Sequence, residues 1–145
     1  MSPSAILFAC TMNGVRSPMA AALLRHLAGR DIYVESAGVR AGDLDPLAVE
    51  VMDEIGLEIA AHKPRRFEDL EDGSFDLVIT LSPEAQHRAV EMTRTAATQV
   101  EYWPTMDPTA VEGSREQRVA AYRAVRDQLL ERLKGRFLRR SAADT

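Results

Sequence analysis

A lone cysteine, Cys10, ends the apolar run SAILFA and is followed six positions later by Arg16 in the stretch CTMNGVRS. A cysteine thiolate is a strong nucleophile, and a guanidinium presents a planar fork to two oxygens of one oxyanion. A loop this short can wrap a small tetrahedral anion, with the backbone amides from Thr11 to Ser17 turned inward and a helix start adding favourable partial charge. The residue types and spacing therefore predict nucleophilic displacement at a bound phosphate-like group.

Such a displacement needs a proton for the leaving oxygen. A carboxylic acid on a loop can supply it and then activate water. Two Asp-Pro pairs compete for the role. Asp45-Pro46 is followed at once by a helical pattern, which helix capping explains. Asp107-Pro108, in WPTMDPTA, has no immediate helical pattern after it and is the favoured acid.

The elements around these residues alternate. SAILFA is predicted as a buried strand, and SPMAAALLRHLAG as a helix with Pro18 in its first turn and Gly29 as its stop. IYVESAG gives a second strand and DPLAVEVMDEIGL a second helix, capped by Asp45 and carrying Leu47, Val51 and Ile55 on one face. FDLVITLS, PEAQHRAVEM and QVEYW continue as strand, helix and strand. The stretch EGSREQRVAAYRAVRDQLLERLKGRF closes the pattern with an apolar stripe from Val119 to Phe137. The alternation predicts an α/β fold: a three-layer, doubly wound sheet of about four parallel strands with helices on both faces. The phosphate loop follows the first strand, at the carboxyl edge where such sheets bind ligands.

With 145 residues, 46% of them apolar and 28% charged, the chain reads as one globular domain over residues 1–145. Its net charge of −4 and lack of an aromatic-laced basic face argue against nucleic acid as partner. RFLRR reads as a solvated helix end. One cysteine excludes a disulfide within the chain and suits a reducing cytoplasm. No stretch is long and apolar enough to span a membrane, and the opening lacks a signal-peptide pattern, so no membrane association is expected. With one cysteine and the scattered His26, His62 and His87, no metal site or cofactor is expected.

CTMNGVRSP, together with SAG, AHKPR, FDLVITLS and the later DP, resembles the low-molecular-weight protein tyrosine phosphatase family, whose fold arsenate reductases share. The resemblance implies Cys10 as nucleophile, Arg16 as phosphate clamp and Asp107 as general acid. Thr11, Met12, Asn13, Gly14, Val15 and Ser17 would complete the phosphate loop, with Ser17 donating its hydroxyl to the thiolate. Asn13 would hold a left-handed backbone, supported by hydrogen bonds from Ser36 and His62. The implied activity is metal-independent hydrolysis of a phosphorylated protein or a small phosphomonoester through a phosphocysteine.

The chain departs from the family pattern in five places. Val15 stands where a second loop cysteine is usual, Met12 where a glycine is usual, and Gly14 where an apolar residue is common. VRAGDLD and DPTA lack the aromatic residues that wall a phosphotyrosine pocket. Arg40 in the first of these stretches suggests an anionic substrate, or is simply solvated, while Tyr102 and Trp103 are either one aromatic face or core. Two alternatives stay open: an arsenate reductase drawing on an external thiol, and a non-catalytic phosphate-binding or interaction module.

Overall fold

The computed structural model describes residues 3–70, 73–94 and 96–138. Four strands, β1 (Ala5–Cys10), β2 (Tyr33–Gly38), β3 (Leu77–Thr80) and β4 (Gln99–Tyr102), form one sheet. Every pair in it is parallel, in the order β2-β1-β3-β4. Parallel neighbours require crossovers, and four helices provide them or close the fold: α1 (Arg16–Ala28), α2 (Pro46–Asp53), α3 (Pro83–Met92) and α4 (Arg115–Leu133).

Successive side chains of a strand point to opposite faces. Ile6, Phe8 and Cys10 of β1 accordingly join a core with Met19, Leu23 and Leu24 of α1, Val51 of α2, and Tyr122 and Leu129 of α4. Leu7 and Ala9 face the other way, onto Ala85 and Ala89 of α3 and the rings of Phe67 and Phe75. Burial on both faces is why β1 reads as an unbroken apolar run. The three-layer, doubly wound sheet expected from the sequence is the observed architecture. Because the chain winds from β1 outward to β2 and then back across to β3, the connections leaving β1 and β3 diverge and open a crevice at the carboxyl edge. Cys10, the last residue of β1, stands in it.

Element ends differ from the sequence expectation in two places. The second helix was expected to run to Leu57 but stops at Asp53, and the chain turns through Gly56 at φ 78, a conformation that costs a glycine little. At the other end of the chain, α4 gives way to a wider turn over Lys134–Leu138. Arg136 there pairs with Glu101, while the last two arginines of RFLRR and the final five residues lie outside the described residues. Among the described residues, no helix is long and apolar enough to cross a membrane.

Candidate active site

The loop between β1 and α1 is shaped by a segment far from it in sequence. The amides of Val39, Arg40, Gly42 and Asp45 donate to the carbonyls of Cys10, Thr11, Met12 and Gly14 at 2.9–3.1 Å. Across a planar peptide the carbonyl and the next amide point opposite ways. Fixing these four carbonyls outward therefore turns the amides of Thr11, Met12, Asn13 and Val15 toward the concave side. Two glycines permit the approach. A Cβ on Gly14 would lie 2.5 Å from the Asp43 carbonyl, and one on Gly38 would lie 2.5 Å from that of Arg40. Helix α1 begins after Val15 with no side-chain cap and no acidic residue in its first turn, which leaves its positive end to an anion.

Asn13 holds the loop from behind. It is fully buried and sits at φ 55, the left-handed region that asparagine tolerates best after glycine. Its Nδ2 donates to Ser17 Oγ (2.8 Å) and Ser36 Oγ (3.0 Å), and its Oδ1 accepts from the Arg65 amide (3.0 Å) and faces His62 Nε2 at 3.0 Å. The amide thus uses both donors and both acceptor directions. Since Oδ1 only accepts, His62 presents Nε2–H. Burial holds this imidazole below its usual range, against the opposing effect of the Asn13 bond, and the Arg25 charge adds to the lowering. Ser17 Oγ already accepts from Asn13, so its single proton is free to donate, and Cys10 Sγ at 2.9 Å is closer than the Ala37 carbonyl at 3.5 Å. The sequence-predicted Asn13, Ser17, Ser36 and His62 are thus one connected set ending on the sulfur. Asn13→Ala is expected to cost about 3 kcal/mol of stability, from orphaned buried partners and an alanine at positive φ; denaturant titration against wild type measures it.

Arg16 is strapped to the wall of the crevice. Its Nη1 donates to the Thr105 carbonyl at 3.0 Å and approaches that of Leu81 at 3.5 Å, and its Nη2 lies 3.9 Å from Asp107 Oδ2. The two Asp-Pro carboxylates separate on geometry. Asp45 accepts from the Leu47 amide (2.8 Å) through Oδ1 and from the Tyr122 hydroxyl (2.6 Å) through Oδ2, so both its oxygens are committed as acceptors. Burial and that bond push the Tyr122 phenol above its usual range, keeping it a donor. Asp107 uses only Oδ1, which takes the Thr109 amide and hydroxyl at 3.0 and 2.7 Å, while Oδ2 looks toward Arg16. No helical pattern follows Asp107 in the sequence, yet Pro108–Ala110 forms one 3-10 turn capped by this carboxylate. A single short turn leaves no periodic pattern to read.

Cys10, Thr11, Met12, Gly14, Val15, Arg16 and Asp107 line one open cavity of about 320 Å³, together with Gly42, Asp43, Asp45, Glu84 and Thr109. No aromatic ring lines it. Trp103 is buried in the core beneath the Arg132 guanidinium, 4.7 Å away, and Tyr102 does not reach the cavity. Arg40, which suggested an anionic substrate, is turned to Glu84 with bonds of 3.1 and 3.2 Å to its two oxygens. Among the described residues, no three His, Cys, Asp or Glu side chains gather as a ligand set for a metal ion. The sequence reading missed the 39–45 segment and the Thr105 strap because backbone atoms make those contacts. Gly38 just before VRAGDLD and Gly42 within it were the available sign.

Residues 5–143 match the family model described as low molecular weight phosphotyrosine protein phosphatase. An arsenate reductase of Bacillus licheniformis is 36% identical over 134 residues, covering 92% of this chain and 95% of the relative. Among solved structures, the YwlE arginine phosphatase from Geobacillus stearothermophilus superposes with a TM-score of 0.76 at 29% identity, covering 91% of this chain and 89% of that one. An arsenate reductase in the phosphate-binding state gives 0.70 at 26% identity, covering 91% and 95%.

Proposed function

The chain belongs to the low molecular weight phosphotyrosine protein phosphatase family, and we propose that it hydrolyses phosphomonoesters through a phosphocysteine formed on Cys10. One observation carries this reading: Cys10 lines the same cavity as Arg16 and Asp107, on a loop whose carbonyls are held by the 39–45 amides. A single domain does the work, and the reducing cytoplasm suits its one thiol.

In the first step Cys10 Sγ attacks phosphorus in line, and the ester P–O bond breaks. The leaving oxygen takes the proton held on Asp107 Oδ2. With Nη1 engaged by backbone carbonyls, the Nε–H and Nη2–H edge of Arg16 is left to grip two equatorial oxygens. The loop amides take the charge that builds up in the transition state, and the Ser17 hydroxyl steadies the sulfur as a leaving group. In the second step Asp107 takes a proton from water as its oxygen attacks phosphorus, the S–P bond breaks, and inorganic phosphate leaves.

Asp107→Asn is expected to lower kcat on an alkyl phosphate by about 10²–10⁴-fold. With a nitrophenyl ester, whose leaving group needs no proton, the first step should be nearly spared. Comparing burst and steady-state rates on the two esters measures this; equal losses on both would contradict the assigned proton donor.

The arsenate-reductase reading has its own support in the 36% identical relative of that name. Arsenate fits the same cradle, but Cys10 is the sole cysteine of the chain, so reduction would draw on an external thiol. Arsenate-dependent consumption of an added thiol, with no hydrolysis of an aryl phosphate, would replace the hydrolase reading by this one.

A further inference from the structure

The cavity that receives the phosphoryl group is acidic where the rest of the substrate must lie. Besides Asp107, which holds the proton for the leaving oxygen, its lining holds three carboxylates, Asp43, Asp45 and Glu84, against one guanidinium, Arg16, which the phosphoryl oxygens occupy. Arg40, on the segment that shapes the loop, is paired with Glu84. Asp43 is exposed and makes no hydrogen bond or ion pair among the described residues. Its backbone packs against Gly14 of the loop, which places the residue on the cavity wall. No ring is available for stacking, and the apolar contribution comes from Met12, which is 43% exposed.

Resting on the phosphatase reading above, we propose that the preferred substrate is a phosphomonoester with a short aliphatic leaving group that bears a positive charge, and that Asp43 is the residue selecting it. A cation on the leaving group meets the negative lining of Asp43 and Asp45, of which Asp43 has no partner among the described residues, while Glu84 and Arg40 offset each other. An acidic leaving group meets repulsion from the same groups. The phosphoryl transfer is the one already described: the P–O bond breaks, the alkoxide takes its proton from Asp107, and a free amino alcohol and inorganic phosphate are the products.

The test compares phosphoethanolamine, the uncharged-tail propyl phosphate, and the acid-tailed phosphoglycolate, with nitrophenyl phosphate as a reference. We expect kcat/KM for phosphoethanolamine to exceed that for propyl phosphate about tenfold at low salt, with phosphoglycolate lowest. Raising salt should shrink the ratio, because exposed charges are screened. Asp43→Asn should collapse the ratio toward one, and Asp43→Glu should keep most of it. Nitrophenyl hydrolysis with equal rates on the two alkyl esters, or with none on either, overturns the selectivity while leaving the hydrolase reading standing. A ratio that survives Asp43→Asn removes Asp43 from the selecting role. Absence of turnover on all four esters overturns the hydrolase reading and this inference with it.

Discussion

Cys10→Ser is expected to lower kcat on a small aryl phosphate by at least about 10⁴-fold, in line with the loss of a nucleophile from an otherwise intact site. The substituted hydroxyl stays protonated at neutral pH, and no base stands behind it as one does in serine hydrolases. The anion cradle is unaffected, because its shape comes from the amides of Val39, Arg40, Gly42 and Asp45 holding loop carbonyls outward. Inorganic phosphate should therefore still bind to the variant, and calorimetric titration alongside steady-state rates separates the two effects. Loss of phosphate binding together with turnover would mean that the sulfur shapes the loop and does not merely react.

Arg16→Lys is expected to reduce kcat/KM by about 10²–10³-fold, as removal of a transition-state donor does. The charge remains, but a lysine ammonium cannot present a planar fork to two phosphate oxygens. It also cannot hold the Thr105 carbonyl and face Asp107 at once, as Nη1 and Nη2 do at 3.0 and 3.9 Å. The variant should thus lose rate beyond what weaker phosphate binding explains, through a less well placed Asp107. Steady-state kinetics over a range of substrate concentrations resolves kcat from KM; a rise in KM alone would reduce Arg16 to a ground-state binder.

The sequence carried the part of this site that side chains make. An apolar run, a cysteine, a seven-residue-long spacing through Arg16 to Ser17 and a Ser-Pro helix start all belong to one contiguous stretch, and local patterns record such stretches well. The preference for Asp107 over Asp45 rested on the helical pattern that follows only the first, and the fold adds that both Asp45 oxygens accept hydrogen bonds while Asp107 faces Arg16. What the sequence did not reveal is made by the backbone or by residues far apart in the chain. Four amides of residues 39–45 orient the loop, and almost any side chain can accompany an amide. The Arg40–Glu84 pair joins positions 44 residues apart, so Arg40 looked free until the fold brought its partner alongside. Tyr122, which read as one member of a core stripe, also carries a hydroxyl to Asp45. A stripe predicts burial of the ring, but not what its polar end meets.

The most direct measurement is acid-quenched trapping of the phosphoenzyme. Wild type and Asp107→Asn would be mixed rapidly with nitrophenyl phosphate, quenched, and examined by intact-mass and peptide mass spectrometry. One phosphoryl group is expected on Cys10, accumulating further in Asp107→Asn because the water step is slowed more than the first displacement. Continued release of phosphate with no adduct on Cys10 in either protein would contradict it.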